Sequence, residues 1–208
     1  MSLVGKIRVA CPACGTEHEC ELVQSINTET SPALRERLLR NELNLLSCPC
    51  GKRVQLAGNL LFHDPAKQFL CQVCPGGDAA VTAAIAAFRD SGATGTLRIV
   101  PSQNALIEKV RILDAGLEDW AIEVAKVLLL AALGIRDTNR IVLFEKVDPE
   151  RLHWVMLENG AAQTYTSPRV SHDNIVAKRG ATRPAAGELQ IDRVWAVDSL
   201  RKTLPTPN

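Results

Sequence analysis

Cys11-Pro12-Ala13-Cys14-Gly15 returns in shortened form as Cys48-Pro49-Cys50-Gly51, and the reading of these two stretches decides what the N-terminal part of the chain is. A structural metal site usually takes two pairs of ligands from two tight turns, because each turn presents two sulfurs together. The first stretch has that spacing: proline stiffens the turn, and the glycine after it allows the chain to pass close to an ion. The second is one residue shorter, so its turn must be tighter. The expected ligands are Cys11, Cys14, Cys48 and Cys50, around one structural Zn2+. Thirty-three residues separate Cys14 from Cys48. That exceeds the roughly 15–20 of a simple ribbon, and a helix from Ser31-Pro32 to Arg40 is expected to fill the difference.

All seven cysteines lie in the first 74 residues. An odd number, in a chain whose N-terminus does not read as a secretory signal, favours metal over disulfides. His18, Cys20, His63, Cys71 and Cys74 are alternatives to Cys50 as the fourth ligand. Cys71-Gln72-Val73-Cys74 also has the spacing of a redox pair, but that motif belongs at a helix N-terminus. Here it ends an apparent strand, so packing is its expected role.

The chain of 208 residues is 46% hydrophobic and carries 24 basic against 23 acidic residues. It has enough apolar material for a real core and no global field to draw it to nucleic acid or an anionic surface. No apolar run approaches the ~20 residues of a membrane span, and a cytoplasmic location is expected. The pattern predicts an α+β protein: a zinc-ribbon-like β module with an inserted helix over 1–75, a linker or helical insertion over 76–95, and a mixed helix and antiparallel-sheet domain over 96–208. Predicted elements include strands at Ile7–Ala10, Glu17–Gln24, Arg53–Phe62, Lys67–Val73 and Thr96–Val100. Asp78 and Ser102 are expected to cap helices, Leu117–Leu133 to form a central buried helix, Asn159-Gly160 to turn a hairpin, Glu188–Ile191 to form a strand, and Asp192–Leu204 to close the chain as a helix.

Cys11-Pro-x-Cys-Gly, Ser25-Ile26-Asn27, Ser31-Pro32, Leu38 to Leu45, Cys48-Pro-Cys-Gly and Leu61-Phe62-His63-Asp64 together resemble the bacterial CpXC-domain proteins, a family distinguished by two C-P-x-C motifs. The similarity extends through Leu117-Glu118-Asp119, Ile122-Glu123 and Lys126. It implies a domain whose four knuckle cysteines carry over as Cys11, Cys14, Cys48 and Cys50, with Cys50 on the shortened motif. It implies no activity.

A closed four-ligand site has no position for substrate. The leading expectation is therefore a non-catalytic, zinc-stabilised adaptor or scaffold that binds another protein. Arg35, Arg37, Arg40, Lys52 and Arg53 raise nucleic-acid binding as the alternative, although aromatics, at 4% of residues, give little for bases to stack on. An enzyme would draw on His63-Asp64, Glu118-Asp119, Glu123 or His172-Asp173. Each has a simpler role in a turn or a helix start, and no metalloprotease, phosphate-loop or nucleophile-elbow motif occurs. Trp120, Trp154 and Trp195 are expected to anchor a core.

Overall fold

The computed structural model describes residues 2–137, 140–158, 161–178 and 183–203. Chain contacts divide it into two compact units, Met1–Ile107 and Glu108–Asn208.

The first unit begins with the hairpin β1 (Leu3–Ala10) and β2 (Glu17–Asn27), then α1 (Pro32–Leu39) and a small hairpin, β3 (Leu45–Ser47) with β4 (Arg53–Gln55). The strands β5 (Leu60–Asp64) and β6 (Phe69–Val73), the helix α2 (Asp78–Asp90) and the strand β7 (Thr96–Val100) follow. Five strands form one sheet in the order β1-β2-β5-β6-β7. Leu60, Phe62, Phe69, Cys71 and Val73 alternate inward on β5 and β6. Cys71 thus packs in the core opposite Phe62, as its place on a strand predicts.

The sheet is mixed, because β2 pairs parallel with β5 and β6 parallel with β7. Parallel neighbours need a connection that crosses over, and residues 76–95 supply one: α2 joins β6 to β7. Of the two expectations for residues 76–95, the helical one holds, as a crossover within the sheet, and Thr96–Val100 belongs to the first unit's sheet. Gly95 makes the entry possible, for at φ +95° any Cβ would lie 2.3 Å from the Gln68 carbonyl oxygen. The expected single strand Arg53–Phe62 is two strands, since β4 pairs with β3 while β5 joins the other sheet. Two helix starts also differ from expectation. Gly77, not Asp78, is the N-cap of α2. Ser31 sits at the N-cap of α1 without a side-chain bond. The turn into α1 is held instead by Asn27 Oδ1, which accepts from the Glu29 and Thr30 amides.

α3 (Gln103–Asp114) spans the division between the units, with Ser102 Oγ accepting from the Ala105 amide at its start. The second unit continues with α4 (Asp119–Ala132), β8 (Ile141–Val147), β9 (Arg151–Glu158), β10 (Ala161–Pro168), α5 (Val170–Lys178) and α6 (Arg193–Thr203). The three strands make the expected antiparallel sheet, in the order β10-β9-β8. Trp120, Ile122, Val124, Phe144, Leu152, Trp154 and Met156 form its core. Glu188–Ile191 is not a strand: Glu188 Oε2 accepts from the Ala185 amide and from Trp195 Nε1, and Ile191 turns its side chain into the core. Asn159-Gly160 and Leu204 lie outside the described residues.

The first half of α4, Trp120 to Lys126, is buried on every side, Glu123 and Lys126 included, whereas Leu128, Ala131 and Ala132 in its second half are exposed. Lys126 Nζ lies 2.8 Å from Glu108 and 3.0 Å from Glu123, while Lys109 Nζ lies 3.1 Å from Asp119 and 3.2 Å from Glu123. Lys109 also donates to the Ile191 carbonyl, and the Phe144 amide donates to Glu108. Burial raises the Glu123 carboxyl, but the two ammoniums outweigh it and hold the group below its ordinary range. At Glu108 burial wins, and its pKa rises. Three carboxyls face two ammoniums, and of the two glutamates on Lys126 it is Glu108 that takes up a proton before Glu123 as pH falls. Removing Lys126 leaves buried carboxylates uncompensated, so Lys126→Met should cost about 3–5 kcal/mol in denaturant unfolding. A loss below about 1 kcal/mol would mean that the pair is dispensable.

Candidate metal centre

Each cysteine pair sits at the tip of a hairpin. Between β1 and β2, the Gly15 amide donates to the Cys11 carbonyl (2.8 Å) and the Cys11 amide to the Thr16 carbonyl (2.9 Å). Between β3 and β4, the Gly51 amide donates to the Cys48 carbonyl (2.9 Å) and the Cys48 amide to the Lys52 carbonyl (2.9 Å). The two loops are closed in the same way with one residue fewer in the second. Gly15 and Gly51 both take positive φ, +74° and +88°, the left-handed conformation that glycine adopts without steric cost.

The tighter turn still delivers its sulfur. Cys11 Sγ is 3.7 Å from Cys50 Sγ, Cys14 Sγ is 3.5 Å from Cys48 Sγ, and all four sulfurs lie within 4.8 Å of one another. Cys11 and Cys48 are buried, Cys14 and Cys50 exposed. The four thiols are close enough to share one metal ion. Behind them, Cys11, Cys20, Leu46 and Cys48 form a small apolar core with Ile7, Val9, Val54 and Leu56, drawn from both hairpins.

What aligns the hairpins is Asn44, which sequence reading passes over. Its Oδ1 accepts from the Val23 amide (2.7 Å) and its Nδ2 donates to the Val23 carbonyl (3.1 Å), so the side chain pairs with β2 as a neighbouring strand would. Pairing of β5 with β2 begins only at Ser25, which leaves this position open. Asn44 holds φ +51°, a region that asparagine tolerates better than most residues. The signal in the sequence is one amide side chain inside the apolar run Leu43 to Leu46.

The four thiols are not equivalent. Once ionised, Cys14 accepts from the Thr16 hydroxyl 3.3 Å away. That bond, the Thr16 amide and the Cys48 thiol bring its pKa down to about 6. Amides of Ala13 and Cys14 lower Cys11. One amide, from Cys50, lowers Cys48, but burial and the thiols of Cys50, Cys14 and Cys11 outweigh it and push Cys48 up to about 12.

Of the other candidate ligands, which lie outside the four-sulfur group, His18 comes within hydrogen-bonding distance of one of its sulfurs. His18 Nε2 lies 3.2 Å from Cys48 Sγ. Cys20 is in the apolar core, and Cys74 is buried with its thiol 3.7 Å from the Ala80 carbonyl. His63 pairs with Leu70 along β5 and β6, and Asp64 Oδ1 accepts from the Lys67 amide in the following turn. His172 Nε2 accepts from the Glu118 amide, and Asp119 and Glu123 share Lys109. Arg35, Arg37 and Arg40 pair with Glu36, Glu21 and Glu42. Trp120 and Trp154 are core residues, and Trp195 packs at the core's margin. Among the described residues no helix is long and apolar enough to cross a membrane.

A family model described as CpXC protein matches residues 9–126, which include both cysteine turns. No curated protein and no solved structure matches the chain.

Two outcomes are expected. Asn44→Ala strands the Val23 amide and carbonyl and should destabilise the first unit by about 2–4 kcal/mol in urea unfolding. In metal-free protein, alkylation of Cys14 followed by peptide mass spectrometry should rise through pH of about 6, with Cys48 protected far into alkali. Equal titration of the two thiols would contradict the asymmetry.

Proposed function

The chain belongs to the CpXC protein family, and on that footing we propose that it is a zinc-stabilised, non-catalytic adaptor or scaffold that binds another protein in the cytoplasm. The observation that carries the reading is the meeting of four thiols from two hairpin tips within 4.8 Å. Sulfurs about 2.3 Å from a tetrahedral ion stand ~3.8 Å apart, and the separations of 3.5 and 3.7 Å are close to that edge. Two hairpins presenting two cysteine turns support a zinc-ribbon-like reading of the module. Thiolate ligands in a tetrahedral set favour zinc over the oxygen-seeking cations.

Four protein ligands leave no position for substrate, which supports a structural metal. The residues that a catalytic reading would use are engaged elsewhere: Glu123 with two lysines, His172 with an amide at the start of α4, and Asp64 with a turn amide. A protein partner is favoured over nucleic acid because the three arginines of the α1 region are neutralised by neighbouring glutamates. Seven free thiols suit a reducing compartment.

Elemental analysis of protein purified without chelator or affinity-column metal tests the reading. One zinc per chain is expected, lost in Cys48→Ser and kept in Cys71→Ser. Metal-free parent protein, or loss confined to Cys71→Ser, overturns it.

A further inference from the structure

The second cysteine turn is one residue shorter than the first, although the same pair of backbone bonds closes it. The space beside Cys48 is occupied by His18, with Nε2 at 3.2 Å from the sulfur. His18 lies on β2 opposite Val9 of β1, and Val9 packs against the small apolar core that holds Cys11 and Cys48. The strand pairing therefore sets the ring beside the Cys48 sulfur.

Distance makes His18 more than a neighbour. An imidazole nitrogen at ~2.0 Å and a thiolate at ~2.3 Å from one tetrahedral ion stand ~3.5 Å apart. His18 Nε2 is thus at about the separation from Cys48 that a fellow ligand would have. Cys50 is the opposite case: it is exposed, and it sits on the shortened turn. One imidazole nitrogen stands beside a sulfur of the four-sulfur group, at a site where a structural ion takes four donors.

Resting on the zinc reading above, we infer that His18 is a reserve ligand, so that the site closes as Cys11, Cys14 and Cys48 with either Cys50 or His18. Four thiolates and three thiolates with one imidazole are both ordinary zinc sets. The two sets differ by one negative charge, because a thiolate is replaced by a neutral ring. Cys50 is then the thiol that the chain can lose without losing its metal, whereas Cys48, the sulfur next to His18, is indispensable.

The test titrates Zn2+ and Co2+ into the parent and into Cys50→Ser, His18→Ala and the double variant. Cobalt serves as the probe because its thiolate charge-transfer bands count sulfurs and its visible bands report tetrahedral geometry. Cys50→Ser should bind one ion per chain tetrahedrally, with charge transfer reduced by about a quarter, one sulfur in four. His18→Ala should keep the four-sulfur spectrum, and the double variant should lose tight binding. Adding Cys50→His to the His18→Ala chain returns a nitrogen at the turn itself. Recovery of one tetrahedral ion there shows that the double variant lacked a donor, not a fold. A Cys50→Ser chain left empty while the parent is loaded overturns the inference and leaves the zinc reading standing. A double variant that binds as tightly as Cys50→Ser overturns it in the same way. An empty parent overturns both.

Discussion

Four sulfurs held within 4.8 Å set the terms for the first unit. Two negative charges about 4 Å apart repel by ~1 kcal/mol in water and ~4 kcal/mol at an effective dielectric of 20. The cluster therefore cannot ionise freely. It must either keep protons or hold a cation, and the divergence of Cys14 and Cys48 is the proton-keeping answer: one thiol releases readily, the other resists. A cation bound there would take the place of those protons and turn the repulsion into attraction.

The backbone is arranged to impose that crowding. Each cysteine turn is closed by a pair of backbone bonds, and Asn44 locks the second hairpin to β2 by copying a strand's hydrogen bonds. The apolar residues behind the sulfurs are few, and small cores of this kind supply little stability alone. The second unit meets a similar difficulty by other means. Its buried charges are of opposite sign and satisfy each other directly, with Glu123 between Lys109 and Lys126.

Local pattern carried much of this into the sequence. The two cysteine turns, the alternation of Leu60, Phe62, Phe69, Cys71 and Val73, and the apolar girth of α4 are all short-range signals with clear periods. The parallel pairings of β2 with β5 and of β6 with β7 left no such trace. They join strands separated by whole elements, and side-chain alternation does not record which neighbour a strand chooses. That is why Arg53–Phe62 reads as one strand and residues 76–95 as a linker or helical insertion. Glu188–Ile191 misleads for a different reason: a lone buried Ile191 beside polar residues imitates a strand end, whereas Glu188 is tied to Ala185 and Trp195. Asn44 is hidden because its role depends on meeting Val23, far away in sequence.

The pairing of Ser25–Asn27 with Leu61–His63 constrains the order of events during folding. Parallel strands so far apart must close a long loop before any contact rewards the closure, which makes this step slow and leaves the β2 edge bare meanwhile. A metal ion gripping Cys14 and Cys48 would tie together the ends of a 33-residue span that lies largely inside the same loop. A cross-link of that length removes roughly 4 kcal/mol of chain entropy from the unfolded state. In kinetic terms the cysteine turns would act as a clasp: fastened early by an ion, they would bring β5 to β2 before the open edge finds another chain.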